Sequence, residues 1–394
     1  MPYAYSIFID FDGTITENDV GYEMFKRFTN SRTEPLVEKY RIGEINSHQC
    51  LSGECEIWNA CAPSPADIDG FLKAQPVRRG FGNFCEYLQS LEIYPIILSE
   101  GFDFYIDKFL SHHGLPHLTR ITNAAIYENG RLMPSFPFYG NGCPDCSNCK
   151  GYHISRLRPL KSCTIFIGDG HSDLHASRAA DIVFARSYLG EIMSKSGAAF
   201  VPYNDFMDIR TRIEEIFSEG IFAAGESLAF KFFSSRHHDS FRDLWECGEV
   251  MQFVGYPNGL GWSRQRYNRH FVEMESWTNA ISLAVEDISG VFLGEAKISF
   301  PDRDGFCYHD LKLLPQFWGK SIGFEAWKMI LDKAGARGPD AKAAVTPSIE
   351  NERAISLYQK LGFQFAGDIE TWEPAREIAN AVPVRFRKMV RDQN

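Results

Sequence analysis

The stretch that decides the fold is Asp10-Phe11-Asp12-Gly13-Thr14, which directly follows the apolar run Ser6–Ile9 (S-I-F-I). A short apolar run that stops at a polar turn is typical of a buried parallel strand. Two carboxylates two residues apart at a strand end can both face one site as the chain turns. The segment therefore predicts a central strand with an active site at its carboxyl end.

The same design recurs further along the chain. The apolar runs Tyr94–Leu98, Cys163–Ile167 and Asp181–Ala185 are separated by segments of helical pattern, among them Asn83–Leu91 and Asp103–His112. Alternating strands and helices predict an α/β fold with a Rossmann-like, doubly wound parallel sheet. Ligands of such sheets bind at the carboxyl ends of the strands, where the polar clusters of this sequence fall.

Two insertions interrupt this alternation. Residues from about 18 to 80 are largely helical in pattern and contain Trp58, so they predict a small helical cap over the site. Residues 122–151 predict a β-hairpin followed by a loop rich in Gly, Pro and Cys. Asn129-Gly130 is a strong signal for the hairpin turn.

Length and composition bound the alternatives. A chain of 394 residues is about right for two domains, and a change of pattern places the predicted domains at 1–218 and 226–394. The net charge of −10, without any Lys/Arg run, argues against nucleic acid as a partner. No apolar stretch reaches the roughly 18 residues of a membrane span. Ten Cys are compatible with reduced thiols, and no basic leader precedes Asp10, so we expect a cytoplasmic protein without membrane partners.

The residues at the first strand end point to phosphate chemistry. A carboxylate such as Asp10 can attack phosphorus and form an acyl phosphate, which splits one hard hydrolysis into two easier steps. The neighbouring Asp12 can protonate the leaving alcohol and later activate water. Because phosphate and carboxylates repel each other, such a site needs a hard cation, and Mg²⁺ suits this donor set.

Other strand ends supply the remaining groups. Gly168-Asp169-Gly170-His171-Ser172-Asp173 adds two carboxylates, of which Asp169 is the expected direct metal ligand and Asp173 its support. Ser99 can donate a hydrogen bond to the phosphoryl group. A Lys is then needed to balance the charge and hold the nucleophile. Asp-Gly motifs also suit plain turns, but several of them in order at predicted strand ends favour the catalytic interpretation.

These motifs, in this order, resemble the haloacid-dehalogenase superfamily, in its phosphoserine-phosphatase-like branch, over roughly the first 215 residues. The D-G-T-I-T start and the C-K-G loop look closest to methylthio-ribulose-pathway and phosphocholine/phosphoethanolamine phosphatases. The resemblance implies that Asp10 is the nucleophile, Asp12 the acid/base and Ser99 the phosphate binder. The metal set that we expect is Asp10, Asp12, Asp169 and Asp173.

Two Lys residues compete for the charge-balancing role. Lys161 lies just before the Cys163–Ile167 strand, at the end away from the site. Lys150 precedes a helical stretch that leads back to that strand, so it can lie at the correct end. We therefore assign the role to Lys150.

A group of thiols lies directly before Lys150. Cys143, Cys146 and Cys149 could hold a structural Zn²⁺, with His153 or Cys163 as the fourth ligand. The spacing is not that of two paired C-x-x-C motifs. A tight substrate-loop turn with free thiols is therefore the alternative.

The second half of the chain carries a different constellation. A strand-like segment, Leu311–Pro315, is followed by a Gly-containing loop and a predicted helix, Phe324–Ala334. Backbone N–H groups of such a loop and helix N-terminus can cradle a pyrophosphate. The downstream segment Asn351–Phe363 predicts a helix that ends at a Gly cap.

Loop and helix together resemble the GNAT acetyltransferases, which carry N-x-x-A-x-x-L-Y-x-K-x-G-F, and the match covers roughly residues 228–387 in a mixed α+β domain. The resemblance implies acetyl-CoA as co-substrate, Tyr358 as the proton donor to the departing thiolate and Asn351 as a cofactor contact. The cradle comprises Trp318, Gly319, Lys320, Ser321, Ile322 and Gly323. Trp318 and Ser321 depart from the usual residues, and Tyr358 could instead be a packed aromatic.

Three functions remain open at this point. The first is a bifunctional enzyme that removes phosphate from a small metabolite and acetylates a small amine. The second is a phosphatase whose GNAT domain senses acyl-CoA. The third is a protein acetyltransferase with an accessory phosphatase. For the acceptor side, His309, Asp310 and Glu295 are candidate bases.

Overall fold

The computed structural model describes residues 4–335, 337, 341–373 and 381–392. The chain divides into two compact units, Met1–Glu215 and Ile216–Asn394. The predicted boundary at 218–226 lies just after this division, and the domain limits 1–218 and 226–394 stay predictions. Within the described ranges, no helix combines the length and the apolar character that crossing a bilayer requires.

The first unit is built on one sheet. Its strands are β1 (Tyr5–Asp10), β2 (Ile96–Phe102), β3 (Thr119–Glu128), β4 (Arg131–Ser135), β5 (Cys163–Gly168), β6 (Ile182–Ala185) and β7 (Val201–Pro202). The spatial order is β4-β3-β2-β1-β5-β6-β7. Every neighbouring pair is parallel except β3 and β4, which form an antiparallel hairpin. This confirms the predicted doubly wound sheet, with β1 at its centre.

Helices follow most of the strands. They are α1 (Val20–Phe28), α2 (Glu34–Arg41), α3 (Ser47–Cys61), α4 (Pro65–Ala74), α5 (Phe81–Ser90), α6 (Asp103–His112), α7 (Lys150–Leu157), α8 (Leu174–Ala179), α9 (Ser187–Ser196) and α10 (Phe206–Glu219). On one face of the sheet, Phe8, Leu98 and Phe166 pack with Ile154 of α7 and Leu189 of α9. The apolar runs predicted as strands therefore build the core that fixes their carboxyl ends.

Helices α1 to α4 form the insertion between β1 and α5, as expected for a cap. The sequence starts these helices with side chains that satisfy free backbone N–H groups. Asp19 accepts from Tyr22 at the start of α1, and Ser64 accepts from Asp67 at the start of α4. Asn46 and Gln49 form a reciprocal capping box at the start of α3.

The predicted hairpin is present, with β3 and β4 joined at Asn129 and Gly130. Both turn residues have positive φ, 52° and 77°, as a two-residue hairpin turn requires. The loop after β4 then leads through the thiol group to α7.

The second unit contains two sheets. Its strands are β8 (Ile221–Ala224), β9 (Leu228–Phe232), β10 (Ala280–Asp287), β11 (Phe292–Ser299), β12 (Phe306–Tyr308), β13 (Asp310–Leu313), β14 (Lys342–Val345), β15 (Gln364–Trp372) and β16 (Val384–Asp392). Its helices are α11 (His238–Glu246), α12 (Gly248–Met251), α13 (Arg264–Ser276), α14 (Ile322–Gly335) and α15 (Glu352–Lys360). The sheet orders are β13-β11-β10-β9-β8 and β12-β14-β16-β15.

One stretch of chain passes from one sheet to the other. β12 pairs with β14, whereas β13, which begins two residues later, pairs with β11. The sheets therefore separate next to His309, and the loop to α14 follows at the far end of β13. The segment Val250–Pro257 is helical at its start and then forms a turn.

Candidate active sites

The centre of the first site is the ammonium group of Lys150. Its Nζ donates to Asp10 Oδ1 at 2.5 Å, to Asp173 Oδ1 at 2.6 Å and to Ser172 Oγ at 3.0 Å. The Lys150 side chain is only 1% exposed, and Asp10 and Asp173 are buried as well. A buried Lys persists only when it is paired, so this arrangement holds Asp10 in one orientation at the end of β1.

The second carboxyl oxygen of Asp173 orders the loop after β5. Oδ2 accepts hydrogen bonds from the backbone N–H groups of Asp169 and Gly170, both at 2.9 Å. Asp169 in turn accepts from the hydroxyl of Thr14 at 3.0 Å. Carboxyl oxygens of Asp10, Asp169 and Asp173 all lie within 4.8 Å of one another. Hard oxygen donors grouped in this way fit Mg²⁺.

Burial and neighbouring charges shift the pKa values of the groups at this site. Burial and the neighbouring Asp173 raise the pKa of Asp10 well above its ordinary value, although Lys150 opposes the shift. Burial and Asp173 also raise the pKa of Asp169 to about 6. Burial lowers the pKa of Lys150, but Asp10 and Asp173 outweigh it and leave that pKa well above its ordinary value. One ammonium group therefore does not fully compensate the negative charge, which a cation would relieve.

Asp12 lies at the same strand end but has separate partners. Its Oδ1 accepts from the N–H of Gly21 at 3.0 Å and its Oδ2 accepts from the hydroxyl of Tyr105 at 2.7 Å. Burial, followed by the charge of Asp19, raises its pKa to about 7. Asp12 is not a member of the three-carboxylate group that Asp10, Asp169 and Asp173 form, and its expected part in metal binding stays a prediction.

The turn after β1 depends on a residue that the sequence analysis did not single out. Arg78 is buried and donates to the carbonyl oxygens of Gly13, Thr14 and Thr16, which shapes the loop between the two Asp residues and the cap. Gly13 has φ of +78°, and a Cβ there would lie 2.6 Å from Asp169 Oδ2. The glycine is therefore required both by the turn and by the close approach of Asp169.

A cavity of about 530 Å³ opens above these groups. It is lined at the sheet edge by Asp10, Asp12, Ser99, Lys150 and Asp169, and on the cap helices by Tyr22, Phe25, Tyr40, Cys50 and Glu54. Ser99 is buried, and its Oγ accepts from the N–H of Gly101 at 2.9 Å, which leaves its own hydroxyl hydrogen free to be directed elsewhere. The predicted phosphate binder thus lies on the cavity wall.

Glu54 is a buried carboxyl group on the cap side of the cavity. It is 5% exposed, and burial, followed by the charge of Asp19, raises its pKa to about 8. No hydrogen bond joins its carboxyl group to another of the described residues. Nothing in the sequence pattern distinguishes it from the exposed Glu56 on the same helix, so only the fold could identify it.

The structure brings Lys150, rather than Lys161, to Asp10. Lys161 lies in the turn directly before β5, at the amino end of that strand.

The structure places a different residue beside the thiols from the two that we expected as the fourth partner, His153 and Cys163. His153 instead lies against Asn148 Oδ1 at 2.6 Å and Cys163 lies within β5, whereas His175 joins Cys143, Cys146 and Cys149.

The second candidate site is the loop between β13 and α14. Gly319 has φ of +75° and Ser321 has φ of +64°, so two left-handed residues turn the chain before Ile322 begins the helix. In the described part of the chain, no backbone N–H group from Gly319 to Gly323 donates a hydrogen bond. Free N–H groups at a helix N-terminus suit an anion such as a pyrophosphate.

Trp318 closes one side of this loop. Its indole N–H donates to the carbonyl oxygen of Leu313 at 2.8 Å, and the guanidinium of Arg353 lies 4.4 Å from its ring centre. Trp318 thereby links the loop to α15. Its backbone N–H donates to Pro315, so Trp318 itself contributes no free donor to the predicted cradle.

Tyr358 lies on α15 and is 8% exposed. Its ring packs edge-on against Trp327, with the centroids 5.1 Å apart, and obliquely against Phe363 at 5.7 Å. Burial, followed by the charge of Asp310, raises its pKa, so the hydroxyl stays protonated. Asn351 caps α15 by accepting from the N–H of Ala354 at 3.1 Å, which is a structural role that the cofactor assignment did not include.

The three candidate acceptor-side bases are already engaged. Both carboxyl oxygens of Glu295 accept hydrogen bonds, from Trp245 Nε1 at 2.9 Å and from Ser282 Oγ at 2.5 Å. Asp310 pairs with Lys312. His309 Nδ1 accepts from the N–H of Ser299 at 3.1 Å. In the neutral imidazole the proton then sits on Nε2, which makes Nε2 a donor and not a base.

Comparison with known proteins finds a different family in each half of the chain. The family model of haloacid dehalogenase-like hydrolases matches residues 7–178, and that of the GNAT acetyltransferase family matches residues 241–363. The 2-hydroxy-3-keto-5-methylthiopentenyl-1-phosphate phosphatase of Bacillus velezensis is 30% identical over 218 residues, which are 53% of this chain and 90% of that protein.

Two solved structures show weaker likeness. A phospho-aspartyl intermediate analogue of phosphoserine phosphatase is 17% identical with a TM-score of 0.41, covering 54% of this chain and 98% of that one. The spermidine N-acetyltransferase of Vibrio cholerae, in complex with CoA and spermine, is 16% identical with a TM-score of 0.37, covering 42% and 95%. The family therefore rests on the sequence matches: the chain belongs to the haloacid dehalogenase-like hydrolases, and it joins a phosphatase domain of that family to a GNAT acetyltransferase domain.

Proposed function

We propose that the first unit is a Mg²⁺-dependent phosphomonoesterase that works through a phospho-aspartate at Asp10. The observation that carries the proposal is the Lys150 ammonium group, which binds Asp10 and Asp173 at the base of a cavity. This contact leaves the second carboxyl oxygen of Asp10 available for attack. Ser99 on the cavity wall would donate to the phosphoryl group.

Hydrolysis would proceed in two steps, formation and breakdown of the phospho-aspartate. An oxygen of Asp10 bonds to phosphorus while the ester P–O bond breaks, and Asp12 gives its proton to the leaving alkoxide. Water then attacks the same phosphorus, Asp12 takes a proton from it, and the acyl phosphate bond breaks to release phosphate and restore Asp10. Tyr105 and Gly21 hold Asp12 in place for both transfers.

Asp10, Asp169 and Asp173 would hold the Mg²⁺, with Asp173 also placing the backbone of Asp169. When bound, the ion supplies positive charge that lets an anionic phosphate approach anionic carboxylates. Lys150 supplies the rest of the charge that Asp10 needs.

The cap lining supports a phosphorylated amine as substrate. Glu54 is buried in the wall without a hydrogen-bonding partner among the described residues, and a substrate ammonium group would supply one. The relative from Bacillus velezensis is named for a phosphate ester with a methylthio group, so this ester is the natural comparison compound.

For the second unit, we propose acetyl transfer from acetyl-CoA to a small amine. The free N–H groups of residues 319–323 support binding of the CoA pyrophosphate. The amine nitrogen attacks the acetyl carbonyl carbon, the C–S bond breaks, and the Tyr358 hydroxyl protonates the departing thiolate. The attacking nitrogen releases its extra proton to water, and Tyr358 regains a proton from water. Lys320, Ile322 and Asn351 stay expected cofactor contacts.

A sensor that binds acyl-CoA without transfer is the second candidate for this unit. It is favoured by the close packing of Tyr358 against Trp327 and Phe363, which is also what a purely structural aromatic would show. A protein acetyltransferase with an accessory phosphatase is the third candidate, and a preference for peptides over small amines would support it.

The test of the phosphatase is mass spectrometry on a panel of small phosphorylated amines and the methylthio ester, with Mg²⁺ and with or without acetyl-CoA. We expect phosphate release that Asp10→Asn abolishes. A variant that releases phosphate as fast as the parent would refute the nucleophile. A compound that both loses phosphate and gains acetyl would establish the coupled bifunctional enzyme.

Two substitutions, one of them with a matched control, resolve the finer assignments. Glu54→Gln should raise KM for amine esters about 10-fold or more and leave the methylthio ester unaffected, consistent with loss of one buried charge contact. The exposed Glu56→Gln on the same helix is the control. Tyr358→Phe should lose transfer but keep CoA binding. Unchanged transfer would assign the tyrosine to packing.

A further inference from the structure

A second cluster of potential metal ligands lies outside the phosphatase cavity. Cys143, Cys146, Cys149 and His175 each offer one donor atom, and all four atoms lie within 4.8 Å of one another. Cys146 and Cys149 are buried, and the other two are half-buried. Three sulfurs and one imidazole nitrogen form a donor set that suits Zn²⁺ and not Mg²⁺.

The spacing of the donor atoms fits tetrahedral coordination. His175 Nδ1 lies 3.3 Å from Cys146 Sγ and 3.8 Å from Cys149 Sγ. A tetrahedral ion with the usual Zn–S and Zn–N bond lengths places sulfur and nitrogen ligands about 3.6 Å apart. The observed distances lie on either side of this value. The ligands could therefore bind an ion with only small movements of their side chains.

The backbone around the cluster is arranged to allow metal binding by these four residues. The N–H of Cys146 donates to Cys143 Sγ at 3.3 Å, an interaction that stabilises a thiolate. A Cβ at Gly151 would lie 2.6 Å from the carbonyl oxygen of His175. Only glycine therefore lets α7 approach α8 closely enough to bring His175 to the thiols.

We propose that these four residues bind one structural Zn²⁺, and that the ion positions Lys150 for the phosphatase site. Cys149 is the residue directly before Lys150 at the start of α7, and His175 lies two residues after Asp173. The site would thus tie together the two chain segments that carry the partners of the Lys150–Asp173 ion pair. The positioning part rests on the proposed phosphatase function, whereas metal binding does not.

The first experiment measures metal content of the full chain purified from zinc-supplemented cells. We expect about one zinc per chain in the parent and in Cys61→Ser, a half-buried cysteine of the same unit outside the cluster. Cys146→Ser and His175→Ala should lose it. Parent protein without zinc, or variants that retain it, would overturn the proposal, as would a disulfide among the three thiols in freshly purified protein.

Loading the parent protein with Co²⁺ tests the metal site even if a variant fails to fold. Tetrahedral coordination by three sulfurs and one nitrogen gives sulfur-to-cobalt charge-transfer bands and strong visible bands. Zinc should abolish both sets of bands by displacement. Their absence from the cobalt-loaded parent would also refute the site.

Positioning of Lys150 has its own readout. At saturating Mg²⁺, His175→Ala should lower kcat by about 10-fold to 100-fold with little change in KM, as expected when a catalytic group is displaced. His175→Cys should restore both zinc and kcat, since a fourth thiolate also suits the ion. A zinc-free His175→Ala with parental kcat would confine the ion to a purely structural role and overturn the positioning claim.

Discussion

Replacing Lys150 by Ala tests both the stability and the chemistry of the first site. The substitution removes the ammonium group that pairs with Asp10 at 2.5 Å and with Asp173 at 2.6 Å. It leaves three carboxylates within 4.8 Å of one another, two of them nearly inaccessible to water. Without a cation, the folded unit must then either protonate these groups or bear their repulsion.

The size of the effect follows from two opposing contributions. Each ion pair contributes on the order of 4 kcal/mol at an effective dielectric constant of about 20. Burying the ammonium group costs several kcal/mol. Removing one partner of such a buried pair typically destabilises by about 3–5 kcal/mol. We expect that loss in EDTA, and a smaller one in Mg²⁺, because the ion offsets part of the same charge.

Hydrogen exchange of peptides from β1 and β5 measures the loss within the first unit, and phosphate release measures the chemistry. Lys161→Ala is the matched control and should retain activity, because Lys161 precedes β5 and lies away from Asp10. In a double-mutant cycle, Lys150→Ala and Asp173→Asn should be far from additive. Additive losses, or full activity of Lys150→Ala, would refute the reasoning.

Three further predictions concern other sites. Ser321→Gly should stabilise the second unit by up to about 1 kcal/mol in urea unfolding and keep CoA binding, because φ of +64° is costly for Ser, whereas Ser321→Val should destabilise it. Arg78→Met should destabilise the first unit by about 1–3 kcal/mol and lower kcat, because the buried carbonyl oxygens of the β1 turn lose their hydrogen-bond donor. An unchanged kcat would contradict this role of Arg78. Glu286→Gln should cost about 1–3 kcal/mol at pH 7, because buried Lys231 loses a partner. Burial raises the pKa of Glu286, but bonds from His237 and Lys231 outweigh it and depress that pKa from 4.5 to about 2. The stability that this carboxylate contributes is therefore present above pH 4.5, and the difference between parent and Glu286→Gln should shrink as the pH falls towards 2; a difference independent of pH would contradict the assignment.

The sequence was sufficient for the parallel sheet and for most of the groups at its edge. Apolar runs bounded by Asp and Gly located β1, β2, β5 and β6 within two residues at their starts, because burial on both faces demands continuous hydrophobic residues. Strand order places their carboxyl ends together. Asp10, Ser99, Lys150 and Asp169 therefore gather at one cavity although up to 159 positions separate them.

Other features depend on contacts between distant segments that no local pattern encodes. Arg78 acquires its role only when the segment before α5 lies against the β1 turn, and Glu54 only when α3 lines the cavity. His175 looks like an ordinary polar residue of α8 until α7 packs against it at Gly151. In the second unit, α13 was not anticipated because its apolar residues are sparse, yet Tyr267, Phe271 and Met274 form part of a buried aromatic cluster.

The measurement that tests the central claim most directly is chemical trapping of the acyl phosphate. The protein is incubated with Mg²⁺ and a compound that it hydrolyses, and the reaction is then quenched. The protein is reduced with borohydride and digested, and the peptide containing Asp10 and Asp12 is sequenced by mass spectrometry. Borohydride reduces an aspartyl phosphate to homoserine and leaves a free carboxylate unchanged. We predict homoserine at position 10 alone, and only when substrate and Mg²⁺ are both present. Conversion at position 12, or rapid turnover without conversion at either position, would contradict the phospho-aspartate at Asp10.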